Sequence, residues 1–160
     1  MDRQLDQAKT GPLYLQMEPI ATIVCETLLT GVAVKHYQLG AFVIMPNHVH
    51  VLVFPMTPPS QLLKSLKGIT AREANKVLGR TGEQFWQHES YDHYVRTDIE
   101  RERIVAYIEN NPLKAGLAVQ QSDFMWSSAN PQWRARLAEI KSGVHTSVNA
   151  ASTSACATPT

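Results

Sequence analysis

The sequence predicts an α+β domain built on one antiparallel sheet with helices on one face. Three observations predict it. Tyr37–Met45 and His48–Phe54 are apolar runs separated by Pro46 and Asn47, the pattern of a β-hairpin. Helical apolar periodicity flanks this pair on both sides, over residues 19–31 and 61–78. A further helical start, Thr97 with Glu100 three residues on, follows later in the chain.

Taken in order, a polar start leads into an amphipathic helix over Pro19–Gly31, with Ile20, Ile23, Val24 and Leu28 at i, i+3, i+4 and i+8 and Gly31 as its stop. The hairpin follows, so the second strand begins at His48. Pro58, Pro59 and Ser60 close that region, and Ser60 is placed to cap a helix over 61–78 with Leu62, Leu66 and Ile69 as its apolar stripe. Gly79–Gly82 reads as a loop, Phe85-Trp86-Gln87 as an aromatic anchor and Tyr91–Arg96 as a short edge strand. The last helix begins near Asp98 and is expected to end at about Asn110 or Asn111, because the residue before Pro112 is pushed out of helical conformation. Gly116 marks a chain reversal after it. Residues 142–160 are small and polar without periodicity, which predicts a disordered tail behind a single domain over 1–141. Helix, strand, strand, helix, strand, helix around one antiparallel sheet is most of a ferredoxin-like or RRM-like layout. Its first strand is missing: the one segment upstream of the first helix that is available for it is the weak run 12–16, Pro-Leu-Tyr-Leu-Gln.

Composition sets modest limits. The 160 residues give one domain on the length prior, large enough to bury roughly 68–70% of the unfolded surface. A hydrophobic content of 44%, a charged content of 18% and a net charge of +1 describe an ordinary globular protein with no bulk attraction to polyanions. Local charge says more, since residues 61–80 carry Lys64, Lys67, Arg72, Lys76 and Arg80 against Glu73 alone, a local +4. Cys25 lies in a helical pattern and Cys156 in the polar tail, so a structural disulfide is not expected. No leader pattern opens the chain and no apolar run approaches the ~20 residues that span a bilayer, so a cytoplasmic protein without a membrane partner is the expectation.

The run Ala41–Pro55 carries the chemistry. His48 and His50 are two apart in a strand, so both imidazoles leave the same face while Val49, Val51 and Val53 point the other way. Tyr107 and Asn111 are four apart on the last helix and share one of its faces. Each has a plainer reading: the histidines as residues of a solvated sheet face, Tyr107 as a packing residue beside Ile104 and Ile108, and Asn111 as a helix terminator before Pro112. Tyr91 and Tyr94 compete for a nucleophile's role, and His88 and His93 read as surface or substrate-contact residues.

Met-Pro-Asn-His-Val-His-Val-Leu-Val over 45–53, followed by the segments 62–75, 85–96, 103–117 and 123–129, resembles the single-tyrosine HUH transposases of the IS200-like superfamily, specifically the REP-associated tyrosine transposases. The resemblance runs in order from about Leu5 to Ala129. It implies metal-dependent cleavage and rejoining of single-stranded DNA through a 5′-phosphotyrosine, leaving a free 3′-hydroxyl. In that scheme Tyr107 matches the nucleophile, and His48, His50 and Asn111 match the groups that hold Mg²⁺ or Mn²⁺. A phenol with an ordinary pKa of ~10 is a poor nucleophile at neutral pH, so a cation that polarises the phosphate suits the chemistry. The implied partner is single-stranded or hairpin DNA formed by palindromic repeats, bound by a monomer or a homodimer. Lys64, Lys67, Arg72, Lys76, Arg96, Arg101, Arg103 and Lys114 are the candidate phosphate contacts, and Phe85 and Trp86 read either as base-stacking platforms or as core residues.

Relatives of this pattern usually begin with an aromatic strand that lies beside the one carrying the histidines, and residues 1–16 show none. Two other readings therefore stand beside the enzyme. One is a catalytically impaired hairpin-DNA-binding module from an N-terminally short reading frame, whose incomplete sheet fails to hold its ligands within ~0.5 Å of working geometry. The other is a structural Zn²⁺ protein on His48 and His50, which lacks two further strong ligands at zinc-finger spacing.

Overall fold

The computed structural model describes residues 12–87 and 93–143. The order is helix Glu18–Ala33 (α1), strands Tyr37–Ile44 (β1) and Val49–Pro55 (β2), and helices Pro59–Leu78 (α2), Asp98–Lys114 (α3) and Pro131–Ser142 (α4). The protein is α+β around an antiparallel hairpin, as the sequence predicts. β1 and β2 pair from Tyr37 opposite Pro55 to Ile44 opposite Val49, with one irregularity between Leu39 and Ala41. The sheet has two strands among the described residues.

The candidate for a first strand is not one. Residues 14–16 form a single 3-10 turn whose Leu15 is buried and whose backbone N–H donates to the Pro46 carbonyl at 3.1 Å, so the segment plugs the hairpin's end instead of extending the sheet. The edge strand expected over 91–96 is also absent where it is described: 93–96 are irregular, and Tyr91 lies outside the described residues with His88.

Alternation in β1 builds two cores. Tyr37, Leu39, Phe42 and Ile44 face α1, with Leu62 and Ala74 of α2 and Trp133 of α4 closing the same cluster. Ala41, Val43 and Met45 face the other way, where Ile104, Val105, Tyr107 and Ile108 of α3 cover them. Helices therefore lie on both faces and not on one as the sequence predicts, because a two-stranded sheet apolar on each side must be covered on each side. The outer edge of β1 is closed by the segment 126–128, with Ile44 N–H donating to the Trp126 carbonyl at 2.8 Å and Ser128 N–H to the Phe42 carbonyl at 2.9 Å. Cys25 is buried in the α1 core, and burial pushes its thiol up to about 12.

Helix ends hold further corrections, the first being that α1 does not stop at Gly31 but runs through it to Ala33. Ser60 is not the cap of α2; Pro58 occupies that position and Pro59 opens the helix, where its missing N–H costs nothing. α3 does not stop at Asn111 but carries Pro112 inside it and runs to Lys114. The proline removes one intrahelical bond, its own to the Ile108 carbonyl, and any kink it imposes falls on the last turn alone. α4 was not expected; Asn130 caps it by accepting from the Gln132 N–H, and Gly143 ends it in the left-handed conformation. Ser142, expected to begin the tail, is the last residue of α4, and the rest of the expected tail from 144 onward lies outside the described residues.

Candidate active site

The site is assembled by the hairpin's turn and by one face of α3. His48 stands just before β2, its carbonyl accepting from the Met45 N–H at 2.8 Å and its Nδ1 2.8 Å from Asn47 Oδ1. His50 lies within β2 opposite Val43. Strand alternation puts both rings on the α3 side, edge to face with centroids 4.8 Å apart at 82°. The Nε2 atoms of both rings are buried.

α3 brings Tyr107 to this pair. Its ring meets that of His50 at 5.6 Å and 73°, and the Lys114 ammonium lies over the phenol ring, 4.4 Å from its centre. The Tyr107 ring also packs against the core of Ala41, Val43, Met45, Leu52 and Ile108, so packing and function coexist in one side chain. One turn on, Asn111 is 2% exposed and its Nδ2 has no hydrogen-bond partner among the described residues. A buried amide with an unused polar end is costly in a core. A half-turn about its last bond exchanges nitrogen for oxygen, giving a cation ligand.

Two imidazoles and one amide are a thin donor set, and no three His, Cys, Asp or Glu side chains gather into a metal site among the described residues. The set suits an ion that takes nitrogen and oxygen together and leaves positions for phosphate oxygens and water. Mn²⁺ fits that description better than Mg²⁺, which prefers oxygen alone.

The orientation of α3 rests on contacts that local sequence does not announce. Ser128 donates to Glu109 Oε1 at 2.8 Å and accepts from the Phe42 N–H at 3.1 Å, tying the helix to β1 two residues after Tyr107. At the start of the helix Thr97 accepts from the Glu100 N–H at 3.1 Å, while the Glu100 carboxylate reaches the Arg96 N–H at 2.8 Å and His93 at 2.7 Å. Those donors, the Arg96 N–H first, hold the Glu100 carboxyl below its ordinary range.

The expected phosphate contacts divide. Arg103 and Lys114 belong to α3 and are exposed, Arg103 one turn before Tyr107. Arg96 leads into the same helix, and Arg101 is paired with Asp98 at 3.4 Å. Lys64, Lys67, Arg72 and Lys76 stand on α2, which packs into the core on the other face of the sheet. Lys67 donates to the Gln87 carbonyl at 2.9 Å, and Arg72 and Lys76 both hold Glu73, whose carboxyl they depress. Phe85 and Trp86 pack against the α1 core, with Trp86 Nε1 donating to Thr70 at 2.8 Å and Phe85 stacked on Tyr14. Tyr94 is 73% exposed on the irregular segment.

No helix of the described structure is long and apolar enough to cross a membrane. The family described as "Transposase IS200 like" matches residues 15–111, more than half of the chain, so the match spans both the histidine pair and the Tyr107–Asn111 turn. The curated proteins and the solved structures gave no match.

Proposed function

Because the chain belongs to the IS200-like transposase family, and so to proteins that act on DNA, we propose that it cuts and rejoins single-stranded DNA with Tyr107 as nucleophile. The observation that carries this reading is the 5.6 Å contact between the Tyr107 and His50 rings, which sets a phenol beside two imidazoles. Tyr107 Oη attacks phosphorus; the Oη–P bond forms, the P–O3′ bond breaks, the phenolic proton leaves to solvent and the departing 3′-oxygen takes one up. The 5′-phosphotyrosine keeps the phosphodiester's energy, and the reverse attack by a 3′-hydroxyl rejoins strands without ATP. His48, His50 and Asn111 hold a divalent cation, Mn²⁺ or Mg²⁺, which when bound polarises the scissile phosphate. Arg103, Lys114 and Arg96 neutralise neighbouring phosphates from the α3 side.

The string of motifs over 45–129 supports a further step in this reading, membership among the REP-associated transposases, whose substrates are hairpin-forming palindromic repeats. Incubating the protein with single-stranded hairpin DNA and Mn²⁺ tests the reading. The wild type is expected to give a covalent protein–DNA adduct that Tyr107→Phe loses completely and His48→Ala with His50→Ala reduces by about 10²-fold or more. An adduct that survives in Tyr107→Phe refutes the assignment.

One observation favours a second reading. Residues 14–16 form a turn and not a strand, and the sheet has two strands among the described residues, so the frame under the histidines is narrow. A hairpin-DNA-binding module without cleavage corresponds to salt-dependent binding with no adduct in the same assay.

A further inference from the structure

We propose that Asn47 sets the tautomer of His48, a positioning role beside the candidate cation site and not a place in it. The inference rests on the reading above in which His48 holds a cation, and it concerns a neighbour to which that reading gives no task. Asn47 Oδ1 lies 2.8 Å from His48 Nδ1. An amide oxygen only accepts, so the ring nitrogen facing it carries the proton and the lone pair of the neutral imidazole is left on Nε2. Nε2 is buried, and the ring stands on the α3 side of the sheet. A ring with its proton on Nε2 would offer that side a donor and no metal-binding lone pair.

The backbone makes this contact possible and keeps it in place. Neighbours in a regular strand point to opposite faces, which would part Asn47 from His48. β1 ends at Ile44 and β2 begins at Val49, so both residues stand in the turn between them. That turn is held twice: the Pro46 carbonyl accepts from the Leu15 N–H at 3.1 Å, and the His48 carbonyl accepts from the Met45 N–H at 2.8 Å. The His50 ring, nearly perpendicular at 4.8 Å, adds a contact that fixes the plane of the His48 ring. Turns often take asparagine for its ease in the left-handed region. Asn47 is not in that region, since Lys35 is the one non-glycine residue with a positive φ among the described residues. The bond to His48 gives the side chain a reason that the backbone conformation does not. An amide also accepts without adding negative charge beside a site that would receive phosphate.

The opposite setting, in which Asn47 Nδ2 donates to Nδ1, would put the proton on Nε2, and the two are separable by experiment. Proton–nitrogen correlation NMR reads the His48 ring in the metal-free protein, above the range in which imidazoles ordinarily titrate, with His48→Gln identifying its signals. Electron paramagnetic resonance then follows Mn²⁺ binding by the same samples. The wild type is expected to carry the proton on Nδ1. Asn47→Leu is expected to move the ring toward the Nε2–H tautomer and to weaken Mn²⁺ binding by about 10–100-fold. Asn47→Asp keeps both the volume and an acceptor oxygen, so it is expected to retain the Nδ1–H tautomer and to bind Mn²⁺ at least as tightly as the wild type. The inference is overturned if the wild type carries the proton on Nε2, if Asn47→Leu keeps the wild-type tautomer or the wild-type affinity, or if Asn47→Asp loses the tautomer. A wild type with its proton on Nδ1 that binds no Mn²⁺ would support the role of Asn47 while sinking the cation reading.

Discussion

At the residue scale, Tyr107 and Asn111 show how one helical turn serves packing and chemistry together. Tyr107 packs on the β1 core and meets the His50 ring, while the Lys114 ammonium lies over its own ring. Asn111 is the sharper case. Its amide nitrogen is buried without a hydrogen-bond partner among the described residues, and a core selected for stability alone would hold an apolar residue there. Asn111→Leu, close to asparagine in branching, is therefore expected to keep stability within about 1 kcal/mol of the wild type and to lose Mn²⁺-dependent adduct formation. Thermal unfolding and the adduct assay on one preparation check both halves, and a large fall in Tm would make Asn111 a structural residue. Sequence alone paired Tyr107 with Asn111 through their spacing. That Asn111 is buried was hidden, because the reading ended the helix before Pro112 and the helix continues.

At the scale of elements, junctions decide more than interiors. α1 packs on β1 across Gly31, where the Tyr37 ring and hydroxyl occupy the space that a Cβ would need, the hydroxyl donating to the Leu28 carbonyl at 2.7 Å. Gly31→Ala must displace a fully buried aromatic ring and is expected to destabilise by about 1–3 kcal/mol, seen as a lower denaturation midpoint. A variant as stable as the wild type would show that the junction yields. The start of α3 carries a pH dependence. The Glu100 carboxyl is held below its ordinary value by the Arg96 N–H and then by His93. A carboxyl depressed in the folded state adds stability that is present above the unfolded value, ~4.3, and is lost as pH falls through the folded value. Glu100→Gln is thus expected to be less stable than the wild type near neutrality and to converge with it below about pH 4; parallel curves would remove Glu100 from the account. The Thr97–Glu100 spacing announced this helix start in the sequence. α4 was missed although its signal is in the sequence: Asn130 and Pro131 open it, and Trp133, Leu137 and Ile140, at i, i+4 and i+7, pack on the α1 core.

At the scale of the whole molecule, two apolar cores sandwich the hairpin and neither depends on an ion. Phe42, Ile44, Ile20 and Leu29 fill one, and Val43, Met45, Leu52 and Ile108 the other. Chelation with EDTA is accordingly expected to abolish cleavage while leaving Tm unchanged within about 1–2 °C. A loss of folding on chelation would point to a structural metal. The sequence by itself determined the hairpin, the presence of α1 and α2, the shared face of His48 and His50 and that of Tyr107 and Asn111, because each follows from a local period of two or of 3.6 residues. Only the tertiary structure decided that α3 crosses the sheet on the histidine side, that α2 with its cations lies on the other, and that residues 12–16 turn instead of pairing. Those outcomes depend on which apolar face finds cover, and on single links such as Ser128 to Glu109 between residues far apart in the chain. No local pattern encodes such a meeting, since a helix with apolar residues on one side fits either face of a sheet that is apolar on both.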